Sequence, residues 1–246
     1  MPAYAVLSAS TLFIYIGTTT KTVSRGTAVT PTTVTVSPSG FGFLYEECPA
    51  CYYHDARGTR KRPRTPFPTV FTTIDRAMKQ HFDSRIWHRL GPGQQFRMVS
   101  QGRWVKSAPI VVPGTGVQLV IRGLYDSLIA FEDERRAICD FKTSPVRAEL
   151  VGKYARQLHS DAYALEHPAD GPAQPTDTLG LAVFEPEHFS SNDVDSATLR
   201  GRFAWLEVER DDAAFSAFLR EVATLIAGEP PAPSPTCGFC AYREAA

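Results

Sequence analysis

Two aspartates and one lysine stand where strand-like sequence would favour apolar residues. Asp126 follows the run VQLVIRGLY, Asp140 ends AICD, and Lys142 lies two residues later. Side chains alternate along a strand, so Asp140 and Lys142 share one face. An antiparallel hairpin about the acidic turn EDE would bring Asp126 opposite Asp140. Two such carboxylates repel each other, and a hard divalent cation offsets that repulsion. With a lysine beside it, this set favours metal-assisted phosphodiester hydrolysis.

The same residues also have an ordinary structural interpretation. Asp126 could cap a turn, and Asp140 with Lys142 could form an ion pair at the surface. The pattern D-x-K is short, so residue chemistry leaves both interpretations open.

Four of the five cysteines form two C-x-x-C pairs, CPAC and CGFC. In a chain without a secretory signal, two such pairs predict a metal site rather than disulfides. Cys48, Cys51, Cys237 and Cys240 could bind one Zn²⁺ or an iron–sulfur cluster. Cys139 lies in an apolar strand and is expected to be a small buried hydrophobe.

A basic segment and three tryptophans are candidates for contacts with nucleic acid. The segment RGTRKRPR, residues 57–64, could bind phosphates, although such runs are commonly solvated loops. Trp87, Trp104 and Trp205 could stack on unpaired bases, although packing inside the protein is the commoner role of tryptophan.

The elements that must position these residues are helices and strands in one layered fold. Apolar spacing predicts helices over about 69–83, 146–166 and 211–227, and a short helix from residue 41 that carries the first cysteine pair. Strand patterns occupy 96–102, 116–131, 135–143, 178–186 and 200–210. This mixture predicts an α/β or α+β fold.

Composition sets broad limits on the molecule. The chain has 246 residues, 43% of them hydrophobic, and its 26 basic and 26 acidic residues balance. We expect a Thr/Val-rich extension of uncertain order over residues 1–37, followed by one domain over 38–246. No apolar run is long enough for a membrane span. The apolar N-terminus lacks the basic residues and the cleavage site of a signal peptide, so we expect a cytoplasmic protein.

The order and spacing of these pieces resemble the PD-(D/E)XK nuclease superfamily, and within it the RecB/Cas4-like exonucleases with a cysteine-bound metal centre. The matching pieces are GLYD at 123–126, ICDFKTS at 138–144 and YARQLHSDAYALE at 154–166, flanked by CPAC and CGFC. The resemblance implies a restriction-endonuclease-like core, in which helices flank a mixed central sheet. It also implies that Asp126 and Asp140 bind Mg²⁺ or Mn²⁺, with Lys142 as the catalytic lysine and Gln157 as a positioning residue.

The sequence departs from the family pattern at several positions. Relatives often carry a tyrosine four residues after the glutamine, where this chain has Asp161. An early helix in relatives often supplies a histidine ligand, for which His81 is the candidate, with Asp75 or Lys79 as possible substitutes. The resemblance favours a [4Fe–4S] cluster on the four cysteines, although the family usually places one cysteine upstream and three downstream, which keeps Zn²⁺ as the alternative.

The expected function is a metal-dependent DNA nuclease, an exonuclease that acts on single strands or free ends. The resemblance implies partners such as a helicase or proteins of DNA repair, recombination or CRISPR adaptation. The alternative is a non-catalytic nucleic-acid-binding subunit that keeps the nuclease-like fold and a structural metal.

Overall fold

The computed structural model describes residues 31–244, apart from residues 64, 65, 67, 84, 85, 90–94, 192 and 194. Most of the predicted extension, Arg64 of the basic segment and most of the predicted turn at 91–95 therefore lie outside the described residues. Residues 32–36, which sequence analysis groups with the extension, form a strand within a compact unit that begins at Pro31.

A mixed sheet forms the centre of the molecule, as the α/β prediction requires. Its strands are β1 Thr32–Val36, β2 His88–Arg89, β3 Gln95–Lys106, β4 Ile110–Val112, β5 Val117–Phe131, β6 Arg136–Thr143, β7 Thr178–Ser191 and β8 Ala197–Val208. The strand order is β2-β3-β5-β6-β7-β8, and β1 and β4 also pair with β5. Neighbouring strands along this path are antiparallel except for β6 and β7, which are parallel.

Six α-helices within the described residues flank this sheet. They are α1 Tyr45–Glu47, α2 Pro49–Ala56, α3 Thr69–Phe82, α4 Glu149–Glu166, α5 Asp212–Ala227 and α6 Gly238–Glu244, and a π-helical turn over Gly40–Leu44 precedes α1. The three longer predicted helices are confirmed to within three residues at each end. Helix α4 is the crossover that parallel pairing of β6 and β7 requires.

The two faces of the sheet carry two separate apolar cores. Helices α4 and α5 cover one face, where Leu158 and Ile226 are fully buried. Helix α3 covers part of the other face through Met78 and Phe82. The predicted apolar side of α3 is only partly buried, because its first turn leaves Val70 and Phe71 exposed. This exposed end of α3 borders the pocket described below.

Strands β7 and β8 continue past the sheet as a long two-stranded ribbon. Their pairing runs from Leu179–Val208 to Ser191–Ala197, with an irregularity near Pro186. The outer part of the ribbon is exposed on both strands. Where β7 and β8 lie inside the fold, Gly180 leaves room for the Trp205 ring, since a side chain there would overlap it.

No helix of the described residues is long and apolar enough to cross a membrane.

Candidate active site and cysteine cluster

Strands β5 and β6 bring the two predicted carboxylates together. They are antiparallel, and their pairing ends at Ser127 opposite Cys139, so the next residues along the two strands are Asp126 and Asp140. The Phe141 main-chain N–H donates a hydrogen bond of 2.7 Å to Asp126 Oδ2. That bond fixes the Asp126 carboxylate against β6, beside Asp140.

Asp140 and Lys142 form an ion pair on one face of β6, with the aspartate buried and the lysine partly exposed. Asp140 is 5% exposed, and its Oδ2 contacts the Lys142 ammonium. Burial and the Asp126 charge raise the pKa of Asp140 to about 6, although Lys142 opposes the shift. Burial alone would lower the pKa of Lys142, but the Asp140 carboxylate outweighs it and the pKa is raised. Lys142 is therefore an ammonium at neutral pH.

Helix α3 adds a second lysine to the site. The Lys79 ammonium contacts Asp126 Oδ1 and lies 2.9 Å from Asp75 Oδ2, one helical turn earlier. Burial lowers the pKa of Lys79, but Asp126 and Asp75 reverse this and the pKa is raised. The sequence contained a weak indication of this pair, because Asp75 and Lys79 stand four residues apart and so face the same side of a helix.

Helix α4 supplies two residues on the other side of the carboxylates. Gln157 Nε2 donates to Asp140 Oδ1 over 3.4 Å. The Tyr154 ring centre lies 4.5 Å from Lys142 Nζ, a cation–π contact. The structure therefore places Gln157 on a candidate metal ligand and Tyr154 on the candidate catalytic lysine.

His81 does not join this group. Its imidazole is exposed and packs against the rings of Phe82 and His88, at 4.9 Å and 5.4 Å between centres. It stands two positions after Lys79, so the two side chains leave α3 in different directions. Lys79 contacts Asp126, and metal binding by His81 stays a prediction.

A cavity of about 500 Å³ opens over Asp126, Asp140 and Lys142. That size lies in the usual range of ligand sites. Its walls come from α3, β6 and α4. It is lined by Phe71, Thr72, Asp75, Lys79, Asp126, Asp140, Phe141, Lys142, Thr143, Ser144, Leu150, Lys153 and Tyr154.

Asp161 lies one turn after Gln157 on α4 and is buried without a hydrogen bond to its Oδ1 atom. Burial raises its pKa well above the ordinary value, and the nearby Asp140 and Asp126 charges add to the shift. This unusual acid was visible in the sequence as a departure from the family pattern, but its burial was not.

The donor groups fit a divalent cation. Asp126 and Asp140 offer the carboxylate oxygens that Mg²⁺ and Mn²⁺ prefer. Their two charges are balanced here by the ammoniums of Lys79 and Lys142. A cation bound to these oxygens would compete with the two ammoniums that already contact them.

The four paired cysteines come from two distant parts of the sequence but lie close to one another in space. Cys48 precedes α2 and Cys51 lies in its first turn, while Cys237 precedes α6 and Cys240 lies within it. All four are buried, and their Sγ atoms lie within 4.8 Å of one another. Burial and the neighbouring thiols raise the pKa of Cys240, so a cation is needed to hold all four as thiolates.

The sulfur separations fit a single ion. Three Sγ–Sγ distances are 3.4, 3.8 and 3.9 Å. Four thiolates about 2.3 Å from one tetrahedral ion stand about 3.8 Å apart. A four-iron cluster binds each thiolate through a different iron and therefore needs wider separations. The four cysteines are therefore placed to bind a metal, and three of their six sulfur separations are close to those around one tetrahedral ion.

Arg62 connects the basic segment to this cluster. Its guanidinium donates to Cys237 Sγ over 3.0 Å and pairs with Glu47 at 2.6 Å. At least this arginine of the segment is engaged inside the protein, where its charge offsets that of the thiolates.

Three comparisons relate the chain to known proteins. A sequence model of the PD-(D/E)XK nuclease superfamily matches residues 60–245. Among solved structures, one titled "Crystal structure of SSO0001" has 13% identity and a TM-score of 0.46, over 86% of this chain and 85% of that chain. No curated protein sequence matches the chain.

Proposed function

The chain belongs to the PD-(D/E)XK nuclease superfamily, and from that premise we propose that it is a metal-dependent deoxyribonuclease that hydrolyses phosphodiester bonds from a free DNA end. One observation carries the proposal. Asp126, Asp140 and Lys142 line the same pocket. Fold membership alone would not license an activity, since function depends on the site.

The two carboxylates and Gln157 have proposed roles. Asp126 and Asp140 would hold Mg²⁺ or Mn²⁺. Such a cation stabilises charge on the phosphate and lowers the pKa of a bound water. Gln157 keeps the Asp140 carboxylate in its orientation through the Oδ1 hydrogen bond.

Lys142 is proposed to act as a positioned ammonium. Its raised pKa keeps it protonated at neutral pH, so it can orient the attacking water and donate hydrogen bonds to the phosphate. The Tyr154 ring restricts where this ammonium can move.

Cleavage of labelled DNA by single-residue variants tests this proposal. Asp140→Asn and Lys142→Ala should each lower cleavage by at least about 100-fold while the protein stays folded. Asp83→Asn, at the exposed end of α3, is the matched control and should cleave like wild type. Full activity in either pocket variant would refute the mechanism. DNA binding without any Mg²⁺- or Mn²⁺-dependent product would instead favour the non-catalytic binding subunit.

The requirement for a free end has its own experiment. Linear single-stranded DNA should release short products, whereas the same sequence closed into a circle should stay intact. Cleavage of the circle at a comparable rate would establish endonuclease action instead.

For the cysteine cluster we propose one structural Zn²⁺ rather than an iron–sulfur cluster, on the strength of the sulfur separations. Elemental analysis of purified protein should find about one zinc per chain. A brown protein that contains iron and sulfide would reverse this assignment. The expected partners and cytoplasmic location stay predictions.

A further inference from the structure

The surface beside Asp126 has an arrangement that the cleavage chemistry does not use. Strand β3 pairs with β5 so that Trp104 stands opposite Leu124, and Lys106 opposite Arg122. Residues directly opposite in an antiparallel pair point to the same face of the sheet. These four residues, Trp104, Lys106, Arg122 and Leu124, are called the β3–β5 strip below.

The strip lies next to Asp126 along β5. Along this strand the alternate residues Ile121 and Tyr125 are buried in the core with α4 and α5. Arg122 and Leu124 therefore point away from that core. Asp126 is two residues beyond Leu124, and its carboxylate contacts Lys79 of α3.

The strip exposes more apolar surface than its neighbours. Trp104 is 66% exposed and Leu124 is 54% exposed. The Arg122 guanidinium lies over the Trp104 ring, 4.8 Å from its centre. An exposed indole held in place by an arginine, with a second cation at Lys106, offers a flat apolar face and two positive charges together.

This combination matches the chemistry of a single nucleic-acid strand. Unpaired bases stack on aromatic rings, and lysine or arginine neutralises the phosphates. A base pair buries its faces against neighbouring pairs, so a duplex cannot offer them to Trp104.

The spacing of residues along the strip also matches the spacing of nucleotides in a single strand. Residues two apart on a strand are separated by about 7 Å, which places Leu124 about 7 Å and Arg122 about 14 Å along β5 from Asp126. A stretched single strand spans about 7 Å per nucleotide, twice its rise of 3.4 Å in a duplex. One nucleotide therefore reaches from Asp126 to the Trp104–Leu124 pair, and a second reaches the Arg122–Lys106 pair.

We infer that the β3–β5 strip binds single-stranded DNA next to the scissile phosphate, with one base stacked on Trp104 and the following phosphate between Arg122 and Lys106. This inference rests on the proposed nuclease function, because it takes Asp126 as the place where the strand is cut.

Equilibrium binding of a fluorescent 12-nucleotide single strand tests the inference. The full chain is titrated without added divalent cation, so that binding is measured apart from cleavage. Trp104→Ala should weaken binding by about five-fold or more, the loss expected for one stacked base. Trp104→Phe should recover part of that loss.

Trp87→Ala is the matched control. Trp87 is also exposed and also has an arginine, Arg97, near its ring at 5.8 Å, but it lies towards the opposite end of β5. Its removal should leave the affinity unchanged. Arg122→Gln should lower the slope of log affinity against log salt concentration by about 0.7, the value for one lost phosphate contact on a single strand.

The outcomes separate this inference from the proposed function. Wild-type affinity in Trp104→Ala, or an equal loss in Trp87→Ala, would overturn the strip even if cleavage depends on Asp140 and Lys142. Full cleavage by Asp140→Asn would refute the nuclease mechanism, whereas a loss of affinity confined to Trp104→Ala would still support binding at the strip. Tighter binding of a 12-base-pair duplex than of the single strand would also overturn the strip.

Discussion

Replacing Asp161 by Asn should change how folding stability depends on pH. Asp161 is 3% exposed, its Oδ1 has no hydrogen-bond partner, and two other carboxylates lie nearby. The native protein therefore retains the Asp161 proton at pH values where the unfolded chain releases it. Asparagine has a similar shape and cannot ionise. In the variant, this position therefore no longer contributes to the difference in bound protons between the native and unfolded states.

The sign and size of the effect follow from the raised pKa. The unfolded chain loses the proton near the ordinary pKa of 3.8, and the native protein loses it only near the raised value. Between the two values the native state binds more protons, so the free energy of unfolding of wild type falls as pH rises. The fall attributable to Asp161 is at most about 1.4 kcal/mol per pH unit.

Urea unfolding of both proteins from pH 4 to pH 8 measures this difference. The stability of Asp161→Asn relative to wild type should rise from pH 4 upwards and level off once the native pKa is passed. Asp140 has its own raised pKa of about 6, but it titrates in both proteins and largely cancels. Asp83→Asn, an exposed control, should give no such rise. A constant difference for Asp161→Asn across this range would refute the idea that this acid is buried in its neutral form.

Three further changes have expected outcomes that the structure fixes. Lys79→Met removes the ammonium that competes with a cation for Asp126, so Mn²⁺ should bind up to about five-fold more tightly, as titration calorimetry would measure; weaker binding would contradict this competition. Gly180→Ala should lower the free energy of unfolding by about 1–3 kcal/mol, because the new methyl group overlaps the Trp205 ring, and urea unfolding at wild-type stability would contradict the close approach. A strong chelator should lower the melting temperature of wild type and leave that of Cys240→Ser unchanged; equal shifts would mean that the cysteines hold no stabilising metal.

Local patterns were enough to predict β3, β5, β6 and the inner parts of β7 and β8, and the convergence at β5 and β6. The run before Asp126, the EDE turn and the alternation around Asp140 are short-range features, and the hairpin that they indicate is present. The turn closes with Glu134 at a φ of +66°, a conformation that a compact turn requires.

Features that depend on packing between distant elements could not be predicted from local sequence patterns. Whether Lys79 or His81 reaches Asp126 depends on how α3 rotates on the sheet, and the two residues are too close in sequence to distinguish. The first turn of α3 has apolar residues at helical spacing, yet Val70 and Phe71 are exposed beside the pocket. Their spacing resembles that of core residues, so the sequence alone could not show that they are exposed.

The outer ribbon and the metal show two other limits. The outer halves of β7 and β8 are exposed on both faces, so no alternation of apolar and polar residues marks them as strands. The two C-x-x-C pairs predict a shared metal, and the structure brings the four thiols together, but the cysteine pattern is the same for one ion and for a cluster.

The cysteine cluster can be completed only late in translation, because its last ligand lies near the end of the sequence. Cys51 must wait for Cys240, 189 positions later, before the fourth thiolate exists. At bacterial or eukaryotic elongation rates of about 5–20 residues per second, that interval is about ten to forty seconds. During it, Cys48 and Cys51 emerge from the ribosome as an open two-thiol chelate, available to oxidants and to competing metals. A metal centre that uses all four thiols can therefore form only after translation reaches the second pair.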